Sequence, residues 1–350
     1  MQFIENIFIW IGDLIVRFFT WIGLPAWWTD LFLVFFQWLG IIALVIMNVL
    51  ILIWLERKIS GFIQMRLGPN RLGPFGAFQT IADTLKLMTK EDIRPRGIDA
   101  IVFMLAPALM IIIAVLIYVA LPLGENMSMV DLENGLFFTI AMTSLATICL
   151  FMAGWSSNNK YSLLGGMRSV AQMISYEIPL IFSLLGVVML TGTLNFQTIV
   201  HQQIDHVWYI FLQPLAFIIY IIAATAELNR GPFDMPEAEQ ELTAGPFTEY
   251  TGMRWALFFL AEYTNLFAVS LICATVFFGG WSGPWLPSWL WIFLKTYVIM
   301  IVFMWFKWTF PRVRIDHMMK FCWKILIPLS LLNLFLTGAG VYLAKGMGWI

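Results

Sequence analysis

An all-α, polytopic membrane helix bundle is the fold class this sequence predicts, and three observations predict it. Of the 350 residues, 61% are hydrophobic and only 12% charged. Mean hydropathy is +0.84, and 17 Trp with 31 Phe exceed what a water-soluble core can hide. The apolar residues also fall into about eight runs long enough to cross a bilayer core of ~30 Å, which takes roughly 20 helical residues. Lipid offers no water to free backbone groups, so each run must close its own hydrogen bonds as a helix.

The runs are 31–55, 100–121, 136–155, 169–191, 207–228, 253–278, 287–308 and 321–343, which makes residues 1–350 a single integral membrane domain. Ahead of them, residues 1–23 place Ile4, Phe8, Ile11, Ile15, Phe18 and Ile22 on one stripe, with Asn6, Asp13, Arg17 and Thr20 on another face. That pattern predicts an amphipathic helix lying at the interface rather than a signal peptide, since a basic start and a small-residue cleavage site are both missing.

Span one carries Asn48 and ends at Glu56-Arg57-Lys58, a charged anchor at the headgroups. The following GFIQMRLGPNRLGPFG sets Gly68-Pro69 and Gly73-Pro74 as turns around Arg66 and Arg71. Beyond them Phe75, Phe78, Ile81, Leu85 and Met88 recur at helical spacing opposite Gln79, Asp83, Lys86 and Lys90, which predicts an in-plane helix; the functional alternative is a helix that also roofs a binding cavity. Span three leads into GWSSNNKYSLLGGMRSVAQ, expected as a polar hairpin loop with Lys160 and Arg168 as anchors. Lys and Arg collect in the loops after spans one, three, five and seven, and the opposite loops hold none. Those basic loops are therefore expected to face the cytoplasm.

Three charged residues fall near the middle of spans. Glu177 lies in SVAQMISYEIPL near Gln172, Ser175, Tyr176 and Pro179; Glu262 and Lys295 lie at comparable depth in spans six and seven. An ion at the bilayer centre costs at least about 2.5 kcal/mol, so each needs a reason. A pair of Lys295 with one glutamate would account for two of the three, and the remaining carboxylate suits a proton carrier.

The densest charge lies in AELNRGPFDMPEAEQELTAGPFTEYTG, residues 226–252. Glu227, Asp234, Glu237, Glu239, Glu241 and Glu249, with Glu262 beyond, make seven of the 21 acidic residues, and Arg230 and Arg254 alone offset them. Pro236 with Glu237 and Glu239 after it is a good helix start, because acids there meet the positive end of the helix dipole. The rest of the acidity asks for a functional reason.

Other chemistries find no support. Cys149, Cys273 and Cys322 have no metal-ligand spacing, and His201, His206 and His317 fall in loops, which argues against an iron–sulfur cluster or intramembrane haem. No glycine-rich dinucleotide or P-loop motif is present, and nothing indicates a nucleic-acid partner. Any redox cofactor is expected in a partner subunit.

The stretches ERKISGFIQMRLGPNRLGPFG, QTIADTLKLMTKED, GWSSNNKYSLLGGMRSVAQMISYE and AELNRGPFDMPEAEQEL closely resemble the membrane-anchoring H subunit (subunit 1 in mitochondria) of respiratory complex I, the proton-pumping NADH:quinone oxidoreductase. The resemblance runs from Glu56 to PRVRIDHMMKFCWKILIPLSLLN and leaves out the N-terminal segment. It implies a membrane anchor that forms much of the quinone chamber with two hydrophilic partners: the quinone-site subunit and the one holding the terminal iron–sulfur cluster. Neighbouring small membrane subunits complete its surroundings, flavin and iron–sulfur clusters reside in partners, and quinone is the substrate. Carried over to this sequence, Arg66, Phe75, Arg168, Glu227, Arg230, Asp234, Glu237, Glu239 and Glu241 border the chamber. Glu177, Glu227, Glu262 and Lys295 mark a proton path. The implied location is a bacterial inner membrane rather than a mitochondrial one. Two alternatives share parts of the pattern: the anchor subunit of a membrane-bound hydrogenase, and a stand-alone proton-coupled transporter, although no internal repeat of the transporter kind is visible.

Overall fold

A computed structural model describes residues 7–21, 25–125, 127–235 and 243–346. Its helices are α1 (Ile7–Trp21), α2 (Ala26–Ile63), α3 (Gln79–Thr89), α4 (Ala100–Leu116), α5 (Gly135–Ser156), α6 (Lys160–Thr191), α7 (Phe196–Asp205), α8 (Tyr209–Leu212), α9 (Pro214–Glu227), α10 (Gly252–Phe277), α11 (Ser288–Thr309), α12 (Ile315–Phe321) and α13 (Ile327–Gly346). Seven described helices are long and apolar enough to cross a membrane, and α9 is a shorter apolar eighth. The described residues thus form the all-α bundle that the sequence predicts.

Several boundaries differ from expectation, each for a local reason. The run 207–228 is broken at Gln213, whose φ of −130° and ψ of 53° lie outside the helical region. Pro214 has no N–H to continue the ladder and disfavours helix at the residue before it. The remaining 14 residues of α9 reach about 21 Å at 1.5 Å each, short of a ~30 Å core.

Span one, by contrast, starts earlier and ends later than its apolar run, so that Glu56, Arg57 and Lys58 lie inside the helix. At 38 residues α2 is about 57 Å long, more than the ~40–45 Å of a bilayer with its headgroups. Span four also starts early. Residues 160–168, expected as loop, form the first turns of α6, capped by the Asn159 side chain accepting from Tyr161 N. Its Gly165 is a packing residue: a Cβ there would lie 2.7 Å from Gly245 Cα, so only glycine lets the 243–250 segment rest on α6. The in-plane helix forms over 79–89, after a short 3₁₀ turn at Pro74–Gly76. A π-helical segment, Cys322–Leu326, joins α12 to α13.

The most buried span is α10, with 67% of its apolar window inside the protein. Around it pack α2, α4, α9 and α11, while α6 lies between α5 and α9. The basic loops come together at one end of the bundle. There Arg254 pairs with Asp92 at 2.9 Å, Asn159 donates to Glu249 at 2.7 Å, and Arg312 pairs with Asp234 at 3.3 Å.

Candidate functional site

Arg230 is the centre of the charged structure. It sits in the turn after α9, where Phe233 N bonds Arg230 O at 2.9 Å and Arg230 N bonds Thr225 O at 3.3 Å, which turns the side chain into the bundle. Its guanidinium is 1% exposed and pairs with carboxylates from two separate helices. NH1 donates to Glu56 Oε2 of α2 at 3.0 Å, and Nε donates to Glu262 Oε1 of α10 at 2.9 Å. Lys307 of α11 donates to the other oxygen of Glu56 at 2.7 Å, and Tyr263 OH donates to Oε2, also at 2.7 Å. The Arg230 guanidinium lies 4.5 Å from the centre of the Tyr263 ring.

Two cations meet two carboxylates here, so the cluster is neutral as a unit although each member is costly to bury alone. Burial works against the charge on Arg230, but Glu56 and Glu262 outweigh it and raise the group above its ordinary value. It therefore stays a cation. One donor, Arg230 NH2, is buried without a partner.

Glu227, three residues before Arg230, is of another kind. It is 8% exposed, and no cation pairs with it among the described residues. Thr143 of α5 and Glu177 of α6 both lie near enough to act on its charge. Glu177 in turn accepts from Ser144 of α5. Beside these groups is a cavity of about 60 Å³ whose walls include Thr143, Glu227, Asn229, Glu262 and Asn265. That is room for a few waters, each needing roughly 10–15 Å³. Asn229 Oδ1 and Asn265 Oδ1 at its wall are buried without partners among the described residues.

Other expected site residues occupy different surroundings. Asp234 pairs with Arg312, and Val313 N bonds Pro232 O at 3.0 Å, which fastens the loop to the stretch before α12. Arg66 lies on an exposed loop with Nε bonded to Gln64 at 2.6 Å. Phe75 is exposed with φ +55°, and its carbonyl accepts from Trp54 Nε1 at 3.2 Å. Arg168 is half-buried on α6. Glu237, Glu239, Glu241 and the helix start expected at Pro236 lie outside the described residues. The α3 segment is tied down by Arg57 and Asp83 at 2.5 Å. Burial alone would raise the Asp83 carboxyl, but the Arg57 hydrogen bond and charge, with Lys86 beyond, hold it below its ordinary value. At the start of α10, Tyr250 stacks on Phe103 at 4.0 Å, and burial pushes its hydroxyl up to about 12.

Two expectations need correction. Lys295 forms no ion pair with Glu177 or Glu262. Its ammonium donates to the backbone carbonyls of Phe278 at 2.7 Å, Gly280 at 2.8 Å and Ser282 at 2.7 Å, with Trp208 4.9 Å away, at the end of α10 opposite the basic loops. The converging carbonyls of one turn take up all three donors of the ammonium without a second charge. Glu56 is the residue that sequence reasoning missed: in ERK it looks like a headgroup anchor, yet it is the most connected carboxylate of the cluster. A signal was present, since residues 41–55 before Glu56 hold neither Gly nor Pro and give the helix no reason to stop there.

Comparison with known proteins bears on all of this. The family model described as NADH dehydrogenase matches residues 36–338. The H subunit of NADH-quinone oxidoreductase from Carboxydothermus hydrogenoformans is 50% identical over 313 residues, covering 88% of this chain and 89% of that relative. The protein of the same description from Dehalococcoides mccartyi is 51% identical over 300 residues, 86% and 84% of the two chains. That from Geobacillus kaustophilus is 48% identical over 322 residues, 91% and 96%.

Proposed function

This chain belongs to the family of the NADH-quinone oxidoreductase H subunit, a membrane subunit of respiratory complex I, and from that premise we propose that it forms much of the quinone chamber and passes protons inward from it. Quinone is the substrate: two electrons from the terminal iron–sulfur cluster of a hydrophilic partner and two protons convert it to quinol. The chain itself carries no redox group in this reading, and flavin and clusters belong to partner subunits. The chamber lies at the basic end of the bundle, between the 228–250 loop with its acidic residues Asp234, Glu237, Glu239 and Glu241, the Arg66–Phe75 turn, and Arg168. Its surroundings are the quinone-site and cluster-bearing hydrophilic subunits and small membrane subunits, in a bacterial inner membrane.

The observation that carries the reading is Glu227: a buried carboxylate with no cation paired to it among the described residues, on the wall of a cavity that Glu262 also lines. An acid paired with a cation holds its negative charge and is a poor proton carrier, whereas one desolvated and beside a second acid exchanges a proton readily. Glu177 and Glu227 form the path, and Glu262, held by Arg230 at 2.9 Å, joins it only when that pair loosens. Arg230 holds Glu262 in place and shifts its balance whenever the chamber contents alter the loop. Lys295, solvated by carbonyls, contributes to the fold rather than to the relay.

The test is Glu227→Gln in the whole complex. It keeps volume and hydrogen bonding and removes no partner of a cation, so complex abundance and NADH oxidation by an acceptor upstream of quinone stay normal. Quinone reduction and NADH-driven acidification of vesicles fall together, by about tenfold or more. Full pumping by the variant would sink the proposal.

A further inference from the structure

We infer that Gln172 is a positioning residue that staples the Arg230 loop to the helix carrying Glu177. The inference rests on the proposed role of that loop. Gln172 lies on α6 and is fully buried. Its side-chain nitrogen donates to Ala226 O and to Phe233 O, both at 2.7 Å, which uses both hydrogens of the amide. Ala226 immediately precedes Glu227, and Phe233 lies beyond Arg230. The two anchors therefore bracket the segment that holds both groups.

The segment needs such a bracket. Asn229 has φ +51°, the left-handed conformation that ends the helix here and that asparagine adopts more readily than most residues other than glycine, so the chain turns sharply between the two anchors. Its side-chain Oδ1 is unpartnered. One turn along α6, the Tyr176 ring lies 5.5 Å from Phe233 and its hydroxyl donates to Met318 O at 3.0 Å. Glu177 is the next residue. A displacement of the loop is thus felt on the helix that carries one carboxylate of the path, and the reverse.

Packing alone does not explain an amide at this place. Gln172 Oε1 is buried and meets no donor among the described residues, a desolvation cost that methionine or leucine of similar volume would not incur. The two donated bonds offset that cost and fix where Arg230 projects. Glu56 and Glu262 then receive the guanidinium at 3.0 and 2.9 Å.

The test compares Gln172→Met, Gln172→Asn, Arg230→Ala and the Gln172→Met/Arg230→Ala double variant in native membranes. Complex abundance on native gels, NADH oxidation by an upstream acceptor and NADH:quinone turnover are measured for each. Gln172→Met, which keeps the volume and loses both bonds, should leave the first two normal and lower quinone-linked turnover about tenfold, the scale of a small misplacement near a reaction. Gln172→Asn keeps the amide on a shorter stem and should recover part of the loss. The double variant should be no worse than Arg230→Ala alone, because the staple acts through that residue. Full turnover by Gln172→Met, losses that multiply in the double variant, or turnover that falls only in step with abundance in both Gln172 variants would each overturn the staple. If Arg230→Ala itself turns over normally, the role of the loop has failed and the staple falls with it; if only Gln172→Met is silent, the staple alone has failed.

Discussion

A buried cation must be solvated by something other than water, and this chain solves that problem in two ways. Arg230 meets carboxylates from two helices, whereas Lys295 meets three carbonyls of one turn. The consequences of substitution differ accordingly. Lys295→Met should weaken the turn at 278–282 by about 1.5–3 kcal/mol, the worth of hydrogen bonds to a charged group, and lower heat stability of the complex. Quinone turnover per assembled complex should be unchanged, and a fall in that specific turnover would return Lys295 to the proton path. Depth along the helix was enough to single out Lys295, but its partners were not legible because every residue carries a carbonyl. Glu227, Arg230 and Glu262 were legible as charges in an apolar chain; their pairing was not, since Arg230 and Glu56 are 174 positions apart.

At the scale of elements, glycine placement decides where the loop rests. Gly165→Val adds side-chain atoms where even a Cβ meets Gly245 Cα at 2.7 Å, and overpacking of this kind costs about 1–3 kcal/mol. The 243–250 segment should lift from α6 and become open to protease, with cleavage there read on the purified complex; an unchanged digestion pattern would contradict the contact. The α3 helix offers a test by pH. Because Arg57 holds the Asp83 carboxyl below its ordinary value, the stabilisation is complete at neutral pH and disappears as pH falls below the ordinary carboxylate range, about 4. Half-exposed as the pair is, it contributes less than ~1 kcal/mol. Hydrogen exchange over 79–89 should accelerate below that pH beyond its intrinsic change, and Asp83→Asn should show the faster exchange already at neutral pH. Of the stripe at Phe75, Phe78, Ile81, Leu85 and Met88, the last three lie in α3 as expected, whereas Phe78 is its N-cap and Phe75 precedes it with φ +55°, and all five are exposed. Periodicity identifies an apolar face without saying whether protein, lipid or partner will cover it.

For the whole molecule, the distribution of Lys and Arg makes a prediction about sidedness. A cysteine placed at Lys160, which is exposed, should react with a membrane-impermeant reagent from the cytoplasmic side alone. Reaction from the opposite side would invert the bundle and move the chamber across the membrane. The joining of the basic loops at one end, through Arg254–Asp92, Asn159–Glu249 and Arg312–Asp234, gives that one labelling site authority over all of them.

By itself the sequence determined the class of fold, the order of the spans and the end at which charge collects, because lipid permits only helices and helices of about 20 apolar residues are visible as runs. It marked Glu177, Glu227, Arg230 and Glu262 as well, since a charge inside an apolar chain is conspicuous wherever it stands. Only the tertiary structure decided which of them meet. It buried Glu56 under Arg230, gave Lys295 to a turn of carbonyls, set Glu227 beside a cavity with no cation paired to it among the described residues, and broke span five at Gln213. Each of these depends on how helices distant in sequence approach one another, and that is set by the packing of small residues and the satisfaction of buried polar groups rather than by any local pattern.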